Sequence, residues 1–237
     1  MPSEISQFAR RHAISIFLAF ILFFFAAAPV IDSFPGGRHL EGVLATVMLA
    51  AAVPAVGGGR RSLVATAALS APIFFGYWFQ LHRKEGSMYL IFIVAFLVFL
   101  CFIIGRLLYF IRWTPRVTSE VLSAGISIYL LLGILWAAGY ALVGRVIPGD
   151  FANVSVAAGR MQGFEALYFS FVTLTTVGYG DILPVAPVAR MLAMMEAMTG
   201  TLYLAVLVSR LVSLHASAAT PADAPSDPPA NRGEGIP

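Results

Sequence analysis

The amino-acid sequence predicts an all-α membrane protein, with six transmembrane helices and one short re-entrant helix. Three observations carry this expectation. Of the 237 residues, 59% are hydrophobic and only 11% charged, far from soluble usage. Apolar runs of roughly 20 residues recur along the chain, the length that spans a bilayer as a helix. One further segment, Gly163 to Thr175, is too short to span and leads into a glycine-rich loop. Irregular backbone at membrane depth is tolerated only where it is buried in protein or lines a water-filled cavity.

The elements follow in order. Residues 1–12 form a short N-terminus, and residues 13–112 a four-helix transmembrane domain. Its spans are expected at Ala13 to Ile31, His39 to Gly57, Ser62 to Gln80 and Met88 to Ile111, separated by short polar or glycine-containing connections. Arg10 and Arg11 before an apolar run that reaches Ala26, Ala27 and Ala28 also fit a cleaved signal. Signal h-regions are usually shorter than this run, so a retained span is expected. The fifth span, Thr118 to Val143, carries Trp136 and Tyr140 where aromatic residues mark the exit from the hydrocarbon. A polar stretch and the re-entrant segment come next, then a last span from Val188 to Leu214. Residues 215–237, rich in Ala, Pro, Ser and Asp, cannot bury a core and are expected to be a disordered tail.

Charge sets the orientation and excludes several function classes. Short basic loops stay on the cytoplasmic side. Arg10, Arg11, Arg60, Arg61, Arg106, Arg112, Arg116 and Arg210 share one side if both termini are cytoplasmic, against Arg38, Arg83, Lys84, Arg145, Arg160 and Arg190 on the other. Lys84 is the single lysine, and the Arg, Ala and Gly bias fits a GC-rich bacterial genome and hence a bacterial inner membrane. The formal charge of +3 implies no nucleic-acid partner. Cys101, the only cysteine, lies inside an apolar run and reads as packing. His12, His39, His82 and His215 are scattered. With no metal-binding His pair, phosphate loop or Ser-His constellation, no enzyme activity and no cofactor are expected.

The motif that carries function is Thr176-Val177-Gly178-Tyr179-Gly180 followed by Asp181. It matches the filter sequence of potassium channels, the standard case of a carbonyl-lined pore. A specified six-residue string arises by chance in a chain this long with a probability of roughly one in 100,000. Residues 118–214 resemble the pore domain of prokaryotic potassium channels, with outer helix, pore helix, filter and inner helix in order. The resemblance implies a re-entrant pore helix and selectivity-filter loop in a homotetrameric pore, embedded in membrane lipid, with K+ as the permeating ion. A dehydrating K+ needs oxygens on every side. The carbonyls of Thr176, Val177, Gly178 and Tyr179, with the Thr176 hydroxyl, would supply stacked rings, and one loop gives a quarter of each ring. Gly178 and Gly180 would accept the left-handed dihedrals this requires, while the side chains of Val177 and Tyr179 point away to brace the loop. Thr175, Asp181 and the aromatic pair Tyr168 and Phe169 would support the filter. Where some bacterial channels carry a pore-helix glutamate that pairs with the aspartate, this chain has Val172, so Asp181 needs another partner.

The last span holds further candidates. By resemblance Gly200 takes the place of an inner-helix gating hinge, and close helix packing explains a glycine there equally well. Thr201, Leu204, Val208 and Val212 lie on one stripe and resemble a pore-lining face, with Arg210 snorkelling to the cytoplasmic interface. Glu196 is the one acidic residue well inside a span, a functional candidate by default. It is expected behind the filter, hydrogen-bonded to Thr173 or Thr175, or protonated. The first four helices resemble six-helix channels in number only. Met88 to Gly105 carries no charge, so no voltage-sensor ladder is present. Of the alternatives, a silent or scaffolding subunit should show an eroded filter, and a transporter places four degenerate loops in one chain.

Overall fold

Uninterrupted runs of Ala, Leu, Ile, Val and Phe satisfy their backbone polar groups internally, as a membrane requires. In the computed structural model they form seven helices among the described residues. The structure describes residues 12–32, 37–55, 60–82, 86–114, 118–147, 151–152, 161 and 163–219. The helices are α1 (Ala13–Asp32), α2 (Gly37–Ala55), α3 (Arg60–His82), α4 (Gly86–Trp113), α5 (Ser119–Val146), α6 (Gly163–Leu174) and α7 (Pro187–Ala219). Two short strands, β1 (Phe151–Ala152) and β2 (Leu183–Pro184), pair antiparallel, Phe151 opposite Pro184 and Ala152 opposite Leu183. This pair joins the segment after α5 to the segment before α7 and had no signal in the sequence.

A helix stands at each of the six expected spans. Four are long and apolar enough to cross a membrane, over Ala13–Val30, Tyr89–Trp113, Ser119–Val146 and Pro187–Ser213. The apolar stretches of α2 and α3 are shorter, Gly42–Ala55 and Val64–Gly76, because Arg38 with Glu41 and Arg60 with Arg61 occupy their first turns. The 12 residues of α6 extend about 18 Å, well short of a bilayer's hydrocarbon thickness.

Each of α1 to α4 packs on the next, and both α1 and α4 pack on α5. The main core joins Phe17 and Ile21 of α1, Phe99, Leu100, Ile103 and Leu107 of α4, and Val121, Ala124, Ile128 and Leu131 of α5. In lipid such helices associate through close van der Waals fit and interhelical hydrogen bonds, since the surrounding tails are as apolar as the side chains. A smaller cluster of Tyr140, Phe151, Met161, Phe169 and Ala189 gathers α5, β1, α6 and α7.

Polar contacts fix one end of the bundle. Thr118 caps α5, its side chain accepting from the Val121 N–H at 3.3 Å. On α1, Ser15 donates to Glu120 Oε1 at 3.0 Å, and His12 Nδ1 lies 3.6 Å from the same oxygen. The starts of α1 and α5 therefore lie together. Pro187 opens α7 at the position where a missing N–H costs nothing.

Two boundaries differ from expectation. Helix α5 continues to Val146, three residues past the expected Val143, and Tyr140 is wholly buried against β1, α6 and α7. Helix α7 reaches Ala219, five residues past Leu214, and residues 220–237 of the expected tail lie outside the described residues. So do Arg10, Arg11, Arg116 and Arg160.

Candidate functional site

The loop after α6 is shaped by where its amides go. Thr176 N–H donates to Thr173 O at 2.9 Å, and the N–H groups of Val177 and Gly178 both donate to Val172 O, at 3.0 and 3.2 Å. These peptides are trans, and in a planar trans peptide the carbonyl opposes the N–H. The carbonyls of Thr175, Thr176 and Val177 therefore point away from α6. Left-handed φ recurs at every second residue, 60° at Thr176, 57° at Gly178 and 78° at Gly180. An ordinary extended strand turns successive carbonyls to opposite sides; alternating hand cancels that alternation.

Glycine accepts this conformation without strain, as expected for Gly178 and Gly180. Thr176 was not legible. A β-branched residue at positive φ costs roughly 1–3 kcal/mol and persists only where the surroundings over-determine it. Its N–H bond to Thr173 supplies part of that constraint.

Asp181 finds its partner one helix over. Tyr168 Oη donates to Asp181 Oδ2 at 2.6 Å, and the Ile182 N–H donates to Oδ1 at 3.0 Å. The Tyr168 hydroxyl, and after it the Ile182 amide, hold the Asp181 carboxyl below the usual carboxylate range. Tyr168 thus fills the role left open by Val172. Phe169 turns the other way, edge to face with Tyr140 at 4.9 Å and Phe151 at 5.4 Å. The aromatic pair is divided: one ring steadies the loop, the other locks α6 onto α5 and β1. Thr175 Oγ1 caps back onto Phe171 O at 2.6 Å. Val177 and Tyr179 are 53% and 71% exposed, so within one chain their side chains brace little.

Glu196 is completely buried, but its partners are not Thr173 or Thr175. Tyr140 Oη donates to Glu196 Oε2 at 2.5 Å, and Ser170 Oγ lies 2.5 Å from Oε1. Ser170 Oγ is also 2.7 Å from Gly133 O. The carboxyl faces α5 and the middle of α6 rather than the last turn of α6, and so ties three helices together at one point. Ser170 and Tyr140 were missed. The available signal was Ser170 itself, a small hydroxyl at the centre of a short apolar helix.

Close approaches surround this point. A Cβ on Gly133 would strike the Phe171 ring, and one on Gly200 would strike the Leu174 carbonyl and come within 3.0 Å of Leu174 Cδ1. Helix α7 runs unbroken through Gly200, and the contact with Leu174 by itself accounts for a glycine there. Thr201, Leu204, Val208 and Val212 are all exposed on the single chain. Arg210 reaches sideways: its Nη2 donates to Ile111 O at 2.5 Å and Arg112 O at 3.0 Å, capping the last turn of α4.

A protein-family model described as "Ion channel" matches residues 117–216, which contain α5, α6, the loop and nearly all of α7. Among characterised proteins, the chain is 36% identical over 87 residues to the inward rectifier potassium channel Kirbac3.1 of Paramagnetospirillum magnetotacticum, covering 35% of this chain and 25% of that one. It is 32% identical over 102 residues to two-pore potassium channel 4 of Arabidopsis thaliana, 43% of this chain and 31% of that protein. It is 32% identical over 71 residues to a voltage-gated potassium channel of Aeropyrum pernix, 30% of this chain and 24% of that one. The chain thus matches about a quarter to a third of the length of these relatives. No solved structure matches. The similarity falls on the half of the chain that holds the loop; α1 to α4 lie outside the matched residues.

Proposed function

We propose that the chain is a subunit of a potassium-selective channel, in which four copies close a pore around the loop after α6. The alternating left-handed residues at 176, 178 and 180 carry this reading, with amides committed to α6 and carbonyls facing away from it. Thr176, Val177, Gly178 and Tyr179 then provide K+ ligands, Gly180 ends the row, and Thr175, Tyr168, Phe169 and Asp181 hold it. A single loop cannot surround an ion, and closed four-fold symmetry completes each ring of oxygens. The exposed rings and apolar residues at Tyr179, Val177, Met194 and Met198 supply surface for neighbouring subunits. Gly200 serves as packing point or hinge, and Thr201, Leu204, Val208 and Val212 line the inner vestibule.

In this reading α1 to α4 are four further spans, giving six per subunit. Both termini lie in the cytoplasm, and the protein resides in a bacterial inner membrane. The flow is passive, with K+ as the permeant ion and no cofactor. Purified protein in liposomes tests it: a K+ gradient should drive flux that Na+ does not support, and native mass spectrometry should show tetramers. Monomers or dimers alone under conducting conditions, or equal K+ and Na+ flux, would overturn the reading. A tetramer without flux would identify a silent subunit instead.

A further inference from the structure

The buried cluster behind the loop contains a proton that its hydrogen-bond geometry assigns. Ser170 Oγ lies 2.5 Å from Glu196 Oε1 and 2.7 Å from Gly133 O, and both are hydrogen-bonding distances. A serine hydroxyl has one proton to donate, and an ionised carboxylate and a backbone carbonyl have none. With Glu196 ionised, one of these two contacts would set oxygen lone pairs against each other at short range. With a proton on Glu196 Oε1, every atom is satisfied in one direction. Glu196 donates to Ser170, Ser170 donates to Gly133 O, and Tyr140 donates to Glu196 Oε2.

No cation among the described residues is paired with Glu196. Among the described residues, the titratable side chains that face Glu196 from α5 are Tyr140, in direct contact, and Tyr129, which senses it through space. Helix α6 brings Ser170 to the site, while its titratable residues are Glu165 and Tyr168, the latter bonded to Asp181. Arg145 of α5 stacks over Tyr89. On α7 itself, Arg190 bonds Pro184 O and Arg210 bonds the end of α4. Burying an isolated carboxylate is expensive, and the site holds acceptors and hydroxyls only.

We propose that Glu196 is a positioning residue for conduction that works as a neutral acid, its proton ordering the chain Glu196–Ser170–Gly133 that clamps α6 between α5 and α7. Loss of the proton breaks one link, frees Ser170 to serve only one acceptor, and releases α6, whose last turn supplies the Val172 carbonyl that organises the loop. Conduction therefore requires the protonated form and fails on the alkaline side. This inference rests on the channel reading for its functional consequence, but the protonation itself does not.

The test compares wild type, Glu196→Gln and Ser170→Ala in liposomes. The glutamine amide donates to Ser170 and accepts from Tyr140, so it mimics the neutral acid without titrating. Wild-type K+ flux should fall on the alkaline side, its protonated fraction dropping about tenfold per pH unit beyond the midpoint, while Glu196→Gln stays flat and keeps neutral-pH flux within about twofold of wild type. Ser170→Ala should move the midpoint. Infrared difference spectra provide the independent readout: wild type at neutral pH should show a protonated-carboxyl carbonyl band that Glu196→Gln lacks. Identical pH profiles for wild type and Glu196→Gln, tetrameric Glu196→Gln without flux at any pH, or absence of the carboxyl band would each overturn the proposal. If wild type carries no K+ at any pH, the channel reading falls, and the infrared band alone decides the protonation.

Discussion

Replacing Gly200 with alanine separates two roles that the sequence leaves equal. In a helix interior alanine gains about 1 kcal/mol over glycine. Against this, the new Cβ would enter the Leu174 carbonyl oxygen and sit 3.0 Å from Leu174 Cδ1. Overpacking costs about 1–3 kcal/mol, and the upper end applies because a backbone atom cannot rotate aside. The net loss is about 2 kcal/mol per subunit, about 8 kcal/mol over four copies. Gly125→Ala is the matched control. Its Cβ meets only the far end of Leu207, 2.9 Å from Cδ1, which turns away, so its net effect should stay within about 1 kcal/mol. Thermal unfolding in detergent, followed by tryptophan fluorescence, should show Gly200→Ala melting clearly below wild type and Gly125→Ala close to it. K+ flux should fall in Gly200→Ala, because Leu174 directly precedes the loop. If Gly200→Ala melts at or above wild type with flux intact, the packing argument is wrong. Unchanged stability with altered open probability would instead support a hinge.

Four other outcomes follow from the same geometry. Gly178→Ala should abolish K+ conduction while leaving the fold intact: φ of 57° costs an L-residue about 1–2 kcal/mol, and a flipped 177–178 peptide turns the Val177 carbonyl away; selective flux in the variant would remove this loop from the permeation path. Tyr168→Phe should lower stability near neutral pH and flatten its loss in acid. The Asp181 carboxyl is depressed chiefly by the Tyr168 hydroxyl, so the stability it contributes is present above the ordinary carboxylate range and lost as pH falls through its lower folded value. Without the hydroxyl most of that increment is absent from the start, so the variant should melt below wild type near neutral pH and the two should converge as pH falls; coincident curves near neutral pH would exclude the bond as the cause. Arg210→Met should loosen the end of α4 by about 2 kcal/mol, the order expected for charge-assisted bonds to Ile111 O and Arg112 O. Faster amide exchange in the last turn of α4, partly restored by lysine, would show it, and wild-type exchange would refute it. Finally, open probability in planar bilayers should depend weakly on voltage. Arg106 lies 5.7 Å over the Tyr109 ring near the end of α4, and one charge per subunit crossing the whole field amounts to at most about 9 kcal/mol per 100 mV over four copies; a gating charge typical of dedicated sensors would overturn this.

The parts legible in the sequence are those governed by local rules. Apolar run length located every helix among the described residues, and glycine spacing located two of the three left-handed residues of the loop. What escaped depends on partners distant in the chain. Tyr140 reads as an interfacial aromatic until α7 brings Glu196 to it, 56 residues away. Tyr168 reads as half of an aromatic pair, although its hydroxyl serves Asp181. The left-handed Thr176 leaves no residue-type signal, since a β-branched residue disfavours that conformation and its bond to Thr173 O at the end of α6 is a feature of the folded turn. The β1–β2 pair is two residues long on each side, too short to leave an alternation pattern.

The placement of α5 explains how a loop held by so few bonds is kept in register. Val121, Ala124, Ile128 and Leu131 form one seam, buried against α1 and α4. Gly133, Ala137 and Tyr140 form another, turned toward α6 and its neighbours, with Gly133 against Phe171 and Tyr140 against Phe169. Residues 131 and 133 are about 200° apart around a helix, so the two seams lie on opposite sides and do not compete for the same surface. A close-packed helix passes a displacement on largely as a rigid body. A displacement of α1 or α4 therefore meets the loop's support at Gly133, where Ser170 and Phe171 rest. It meets it a second time at Phe25 of α1, whose ring lies 4.8 Å from Phe171. Phe171 is held between the two, and the carbonyl of the next residue, Val172, receives the amides of Val177 and Gly178. The third link, Arg210 on the end of α4, acts on α7 beyond Gly200 and leaves the loop untouched. The N-terminal helices thus meet the support of the loop through packing at Gly133 and Phe171. They meet α7 through the Arg210 guanidinium and the packing of Tyr203 and Leu211, so substitution of Arg210 can weaken the second contact without touching the first.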